Sequence, residues 1–248
     1  QQVTFEEFTL DNGLHVILHQ DKSAPVIITS VMYHVGTKNE NPNRTGFAHF
    51  FEHLLFEGTK NIKRGEWMKI VSGNGGINNA NTSVDRTYYY EVFPSNNLEL
   101  GLWMEAERIL HPVINQIGVD TQKEVVKEER RWRVDNNPLM SLFELTMATV
   151  FKNHNYRNPV IGTMKDISNY TTDILRSFYQ TYYVPNNAVL VLAGDFKINE
   201  AKALIDKYYG PLVAKPILER NYKKEMPQTV QYNANLKQDI QGYSFMLA

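Results

Sequence analysis

The sequence predicts an α+β fold in which a mixed, largely antiparallel sheet packs against helices. Strand-like runs occur in groups, with helical runs between the groups. The first two strand-like runs flank Asp11-Asn12-Gly13, a strong signal for an antiparallel hairpin. A doubly wound sheet would instead alternate single strands with single helices, so the antiparallel class is favoured.

The predicted strands are short runs rich in β-branched and aromatic residues. They cover residues 8–10, 14–19, 26–33, 77–81, 87–93 and 188–193, with a further strand-like run at 242–247. Turn-forming residues bound them: Asp21 to Pro25 precedes the third run, and Asn74-Gly75-Gly76 precedes the fourth.

The predicted helices are runs with apolar residues at helical spacing. They cover residues 47–56, 65–72, 96–110, 120–134, 139–151, 171–183 and 199–209, and loops are predicted at 36–44 and 154–163. Gly58 has the position of a C-cap for the first helix. Asn96 and Glu99 have capping-box spacing at the head of the third helix, and Pro138 ends the fourth.

Composition limits the possible classes of protein. Of the 248 residues, 42% are hydrophobic and 21% are charged, which is typical of a globular protein. The formal net charge of −1 gives no overall attraction to nucleic acid or to an anionic membrane, so no nucleic-acid partner is expected. No apolar run reaches the roughly 18 residues that a membrane span needs.

We expect two regions: a domain at 1–213, and at 214–248 a linker with the truncated start of a following domain. Pro211, Pro216 and Pro227 with scattered charges are typical of a linker. The chain begins Gln1-Gln2 without methionine, as expected after a signal segment is removed on export, for example to a bacterial periplasm. A trimmed cytosolic protein would begin in the same way.

The pentad His49-Phe50-Phe51-Glu52-His53 is the strongest functional signal. Residues four apart lie one turn apart on a helix, so His49 and His53 can bind the same metal ion. Glu52 lies beside them, where it could accept a proton from water. The order H-x-x-E-H is a known zinc motif. Chance placement of two core histidines and a surface carboxylate is the alternative.

A zinc site with two histidines needs a further protein ligand, and the chain has no cysteine, so this ligand must be His, Asp or Glu. The helix predicted at 120–134 contains Glu128 and Glu129. Such a charged run is most often a solvent-exposed helix with ion pairs. Glu129 follows Val126 by three residues and Glu128 follows Val125 by three, so spacing leaves both as candidates.

The segment from His49 to Thr59 resembles the signature of the pitrilysin/insulinase family of zinc peptidases, which includes the mitochondrial processing peptidases. The resemblance covers residues 4–213 and extends over several further motifs. These are Gly75-Gly76, Asn79-Ala80-x-Thr82-Ser83-x-Asp85-x-Thr87-x-Tyr89, Val125-Val126-Lys127-Glu128-Glu129, Asn137-Pro138, Pro159-Val160-Ile161-Gly162-Thr163, Tyr183-x-Pro185-Asn186-Asn187-Ala188 and Gly194-Asp195.

The resemblance implies a zinc endopeptidase with one Zn²⁺ ion held by His49, His53 and Glu129, with Glu128 as the fallback. Zinc would activate a water molecule as the nucleophile, and Glu52 would be the general base. Members of the family usually have another glutamate two helical turns before the ligand, where this chain has Gln122. Gln122 could form hydrogen bonds in the shell around the metal ligands but adds no negative charge.

The resemblance also implies that residues 77–81 form an edge strand on which an extended substrate lies, with Asn79 and Ala80 as substrate-binding residues. The expected partners are a peptide or unfolded polypeptide and a homologous second domain or subunit. Three alternatives remain: an inactive partner or half of a peptidase, a related lyase, and a binding module with a structural metal. The missing cysteine disfavours the lyase, and the lack of a fourth protein ligand disfavours a closed structural site.

Overall fold

The computed structural model describes residues 3–217, 222, 224–238 and 241–248. In this part of the chain, six strands form one sheet: β1 (Glu6–Thr9), β2 (His15–Gln20), β3 (Val26–Tyr33), β4 (Ile77–Thr82), β5 (Thr87–Pro94) and β6 (Ala188–Gly194). The α-helices are α1 (Phe47–Leu54), α2 (Trp67–Gly73), α3 (Leu98–Leu110), α4 (Gln116–Arg130), α5 (Pro138–Val150), α6 (Met164–Ser168), α7 (Thr172–Tyr182) and α8 (Ile198–Tyr209). A π-helical turn, Arg131–Asp135, continues α4.

The sheet has the strand order β1-β2-β6-β3-β5-β4. The β2–β6 pair is parallel, and the other neighbouring pairs are antiparallel. The predicted α+β fold with a mixed, largely antiparallel sheet is therefore confirmed. This order leaves β4 at one edge of the sheet, beside the helix that carries the pentad.

The strand sequences produce the core by alternation. Every second residue of β5, from Thr87 to Phe93, is fully buried, while the residues between are partly exposed. Gly101 of α3 allows the helix to approach this sheet closely, because a side chain there would collide with Thr29 of β3. Helices α3 and α8 pack on each other, and the buried Tyr209 hydroxyl donates a hydrogen bond to the Leu102 carbonyl.

The start of α1 is held by a buried carboxylate. Glu40 is 3% exposed, and its two oxygens accept hydrogen bonds from the backbone amides of Gly46 (2.7 Å) and Ala48 (2.8 Å). These amides belong to the first turn of α1, where backbone N–H groups have no partner within the helix. Gly46 adopts a left-handed backbone with φ of +89°, which suits glycine at this sharp entry.

The end of α1 is held by a buried arginine. The Arg108 guanidinium is fully buried, and its Nη1 donates to the Leu55 carbonyl at 3.1 Å. Its charge is balanced by Glu105 at 3.0 Å, and Glu91, whose pKa burial and Glu105 raise, accepts a hydrogen bond from it at 2.9 Å. The rings of Phe56, Trp67 and Tyr89 surround the guanidinium at 4.1–4.5 Å from their centroids. Helix α1 is therefore fixed at both termini by hydrogen bonds between its backbone and buried polar side chains.

Several sequence predictions were wrong in detail. Asn96 is not a capping residue, because a 3₁₀ turn (Ser95–Asn97) precedes α3 and Asn97 is its N-cap. Helix α4 begins earlier than predicted, since Asn115 caps it by accepting from the Gly118 amide at 2.9 Å. Helix α6 lies next to the predicted 154–163 loop and was not predicted.

The described residues beyond 213 contain no helix or strand, so the strand predicted at 242–247 is wrong. The alternating pattern there has no neighbouring strand to pair with, and Tyr243 and Phe245 are almost fully exposed. Part of this region still contacts the domain, because the Glu225 carboxylate accepts from the His154 amide at 2.6 Å. The boundary at 213 remains a prediction. None of the helices in the described part of the chain has the length and apolarity needed to cross a bilayer.

Burial of Glu40 has a measurable consequence for stability. Burial raises the pKa of this carboxyl from 4.5 to about 8, although the amides of residues 46–48 oppose the shift. The folded protein therefore keeps a proton that the unfolded chain releases. The contribution of protonated Glu40 to the free energy of unfolding is complete below pH 4.5 and is lost as the pH rises towards 8. The free energy of unfolding should fall over this range.

We expect Glu40→Gln to flatten this dependence by up to about 1.4 kcal/mol per pH unit, because the amide keeps an acceptor oxygen but does not titrate. Urea unfolding from about pH 5 to pH 8 measures the effect. Glu200→Gln, at an exposed position in α8, is the matched control and should follow the wild type. Parallel curves for Glu40→Gln and wild type would show that the Glu40 pKa is not raised.

Candidate metal centre

Helix α1 presents both predicted histidines on one side. The ring centroids of His49 and His53 lie 4.9 Å apart, as expected for residues one turn apart. The opposite side of α1 is apolar, and Phe50, Phe51 and Leu54 are buried in the core at 0–1% exposure. Because these residues fix the rotation of α1, the imidazoles point away from the core and towards α4.

Helix α4 brings Glu129 to the same point. Its Oε2 lies 3.0 Å from His53 Nε2 and 3.5 Å from His49 Nε2. One ligand atom from each of the three residues can be chosen so that all lie within 4.8 Å of one another. In the described part of the chain, these three side chains are close enough together to hold a metal ion.

The chemistry of these three side chains is suited to binding a metal ion. Glu129 Oε2 is buried and forms no hydrogen bond with the described residues, although both imidazoles are near. The two imidazoles lie at 3.0 and 3.5 Å but do not meet hydrogen-bond geometry, and a cation between the three groups would satisfy this buried oxygen more fully. Two imidazole nitrogens and one carboxylate oxygen form a donor set typical of catalytic zinc, which leaves a position for water.

Spacing had left Glu128 and Glu129 as equal candidates, and the rotation of α4 separates them. Val126 is fully buried and Val125 is 44% exposed, so the buried side of α4 is the Val126 side. The Glu129 side chain is 14% exposed, whereas the Glu128 side chain is 72% exposed and pairs with Arg131 at 2.8 Å. The fold therefore brings Glu129, and not Glu128, to the histidines.

Arg133 is a neighbour of the site that the sequence did not suggest. Its Nη1 lies 3.0 Å from Glu129 Oε1, the oxygen that does not face the imidazoles. The pair is formed because the π-helical turn continues the helix past Glu129. Burial alone would raise the pKa of Glu129, but His49 and His53 outweigh it and hold the pKa well below the usual range. The carboxylate is therefore ionised and able to bind a cation.

Glu52 lies beside the two histidines on α1 and lines the same cavity. Its Oε2 accepts a hydrogen bond of 2.7 Å from the Thr82 hydroxyl, at the end of the edge strand β4. Glu52 is not part of the group that could hold the metal. Its carboxylate is thus available for proton transfer next to that group.

Gln122 lies two turns before Glu129 on α4. Its amide donates a hydrogen bond of 2.5 Å to Glu57 Oε1, and Arg64 also pairs with the Glu57 carboxylate. Among the described residues, Gln122 forms no hydrogen bond with the three candidate ligands. Its predicted influence on the metal would therefore have to act through Glu57 and the helix, and this role stays a prediction.

The candidate ligands open into a cavity of about 650 Å³ bordered by β4. Its apolar wall comes from α5 and the following loop, including Met140, Phe143 and Ile161. Asn79 and Ala80, the predicted substrate-binding residues, lie on β4 in the same lining. The candidate ligands, the candidate base and the edge strand therefore share one cavity.

The hydrogen-bond register of the β4–β5 hairpin shows which backbone groups of β4 are free. The Ser83 amide donates to the Arg86 carbonyl at 2.8 Å, so hydrogen-bonded pairs alternate from that position. The Ala80 amide and carbonyl consequently point away from β5, to the open edge. The Ala80 amide donates instead to its own neighbour, Asn79 Oδ1, at 2.8 Å.

The fold therefore places two histidines and a glutamate where they could hold a metal ion beside an open strand edge. The chain belongs to the insulinase family, peptidase family M16: the model of that family matches residues 15–164. A second family model, described as the peptidase M16 inactive domain, matches residues 169–242. The predicted family membership is thereby confirmed.

The chain is similar to named zinc proteases of bacteria. It is 38% identical over 208 residues to the zinc protease PqqE of Helicobacter pylori, covering 84% of this chain and 47% of that protein. It is 27% identical to the uncharacterized zinc protease YmxG of Bacillus subtilis, covering 85% and 51%. The chain therefore spans about half the length of the curated relatives it matches.

Solved structures agree in fold. A protease from Helicobacter pylori superposes with a TM-score of 0.86 at 36% identity, covering 90% of this chain and 54% of that one. The periplasmic protease PqqL from Escherichia coli gives 0.81 at 26% identity, covering 91% and 26%. The predicted pitrilysin-like architecture is thus shared with M16 proteases.

Replacing each of the two neighbouring glutamates by alanine tests which one binds the metal. Glu129→Ala should weaken zinc binding by more than about 100-fold, because loss of a residue outside the ligand set already costs 10–100-fold in such sites. Glu128→Ala should bind zinc like the wild type, since its side chain points to solvent. Competition with a chromophoric chelator measures both affinities. Equal weakening by the two variants would rule out Glu129 as the specific ligand.

Proposed function

We propose that this chain is the zinc-binding, catalytic part of an endopeptidase that hydrolyses peptides or unfolded polypeptides. One observation carries the proposal: His49, His53 and Glu129 converge beside Glu52 in a cavity bordered by an open strand edge. The names of the relatives as zinc proteases support it.

In this proposal His49, His53 and Glu129 hold one zinc ion. Zinc, when bound, would act as a Lewis acid that polarises a water molecule and the scissile carbonyl. Glu52 accepts the proton of the attacking water and passes it to the leaving amine as the peptide bond breaks. Arg133 keeps Oε1 of Glu129 occupied, so that Oε2 remains directed at the imidazoles.

The substrate in this proposal is an extended peptide that adds a strand to β4. Its backbone would pair with the outward-facing amide and carbonyl of Ala80 and replace the hydrogen bond that this amide donates to Asn79 Oδ1. Pairing through the backbone depends little on side chains, and the apolar wall would accommodate an apolar side chain. The pairing segment must be extended and without strand partners of its own, which favours unfolded segments.

We further propose that catalysis requires a homologous second half. The chain spans about half of its relatives, and its fold superposes on the first half of PqqL with a TM-score of 0.80. In the alternative, this zinc-binding half serves only as a binding or partner module. The description of PqqL as periplasmic supports an exported location.

Glu52→Gln tests the role of the base. We expect zinc affinity equal to that of the wild type and hydrolysis reduced by about 100-fold or more, because the amide cannot accept the proton. A quenched fluorescent peptide measures hydrolysis by the chain alone and by the chain joined to the second half of a longer form. Glu66→Gln, outside the cavity lining, is the matched control. Full activity in Glu52→Gln would refute the assignment of the base.

A further inference from the structure

The candidate base is attached to the edge strand by one hydrogen bond. The Thr82 hydroxyl donates to Glu52 Oε2 at 2.7 Å, the usual distance for a hydrogen bond from a hydroxyl to a carboxylate. Among the described residues, Glu52 Oε1 forms no hydrogen bond. The two oxygens of Glu52 are therefore in different situations, one occupied and the other open.

The backbone around Thr82 is held firmly enough to orient this carboxylate. Thr82 pairs with Thr87, whose buried hydroxyl donates to the Val35 carbonyl at 2.9 Å. At the turn of the hairpin, Asp85 pairs with Lys38 at 2.7 Å and accepts from the Tyr156 hydroxyl at 2.7 Å. The hairpin that carries Thr82 is thus fixed to two other parts of the chain.

The direction of the Thr82 side chain follows from its place in β4. Residues of β4 alternate between exposed and half-buried, and Asn78, Ala80 and Thr82 form the half-buried set. Strand β4 packs beside α1, and the hydrogen bond from Thr82 to Glu52 shows that the hydroxyl points at the helix that carries the candidate base. A hydroxyl can donate one hydrogen bond, and here it is given to Glu52.

We propose that Thr82 is a positioning residue for the proposed peptidase reaction. Its hydroxyl fixes Oε2 of Glu52 and thereby orients Oε1 as the oxygen that accepts the proton. The same strand offers the outward-facing backbone groups of Ala80 to the substrate, so β4 sets the positions of both peptide and base. This inference rests on the proposed function, because it assigns Glu52 as the base.

The opposing interpretation is that Thr82 only fills space at the end of the strand. Thr82→Val keeps the β-branched shape and removes the donor, whereas Thr82→Ser keeps the donor and removes a methyl group. The two interpretations therefore predict opposite orders of activity for these variants. Thr181→Val, which removes a hydroxyl bonded to the Ser177 carbonyl within α7, is the matched control.

The variants are assayed as the chain joined to its second half, with kcat, KM and zinc affinity measured separately. We expect Thr82→Val to lower kcat about 10- to 100-fold, since a misplaced catalytic group costs that much, and to leave KM and zinc affinity unchanged. Thr82→Ser should stay within about twofold of the wild type. In a Glu52→Gln background, Thr82→Val should cause no further loss.

Three results would each overturn the positioning role. They are a wild-type kcat in Thr82→Val, a change in its KM or zinc affinity instead of kcat, and an equal loss of kcat in the valine and serine variants. Retained activity in Glu52→Gln would overturn the proposed function itself, so the two failures are distinguishable. A crystal structure of the zinc-loaded chain gives a test that needs no activity. The Thr82 hydroxyl should remain within hydrogen-bond distance of Glu52, and a Glu52 carboxylate turned away from it would also overturn the proposal.

Discussion

The site depends on the fixed position of one short buried helix. Helix α1 has eight residues, too few to be stable alone in water, so its geometry comes from its surroundings. Glu40 binds the amides of its first turn, and Arg108 binds the Leu55 carbonyl at its other end. These contacts, with the aromatic residues packed beneath, set both its place and its rotation. The orientation of His49 and His53 follows from them.

The candidate metal centre joins parts of the chain that are far apart in sequence. Burial of Val126 sets the rotation of α4, which decides that Glu129 faces the imidazoles. Glu129 Oε2 lies next to both imidazoles but does not meet hydrogen-bond geometry with them, and a bound ion would link α1 and α4 through these three side chains. Binding of metal and packing of these two helices are therefore coupled.

Much of this structure could be predicted from the sequence because it depends on local patterns. Helical spacing was enough to pair His49 with His53, and alternation in strands with hairpin signals was enough for the class of fold. The choice between Glu128 and Glu129 needed the depth of burial of Val125 and Val126, which spacing does not give. By resemblance the choice was Glu129, and the fold places this residue beside the two imidazoles. The hydrogen bond from Thr82 to Glu52 could not be predicted, because it joins a strand and a helix whose packing the sequence pattern does not give.

Asn79 gives the open edge of the sheet a second property. An edge strand with unpaired amides can pair with the same strand of another molecule, and repeated pairing of this kind leads to aggregation. The Asn79 side chain covers the amide of Ala80, so one donor of that edge is already satisfied within the chain. Pairing between the β4 edges of two copies is consequently less favourable. A peptide strand that displaces the Asn79 side chain can still accept the hydrogen bond from the Ala80 amide.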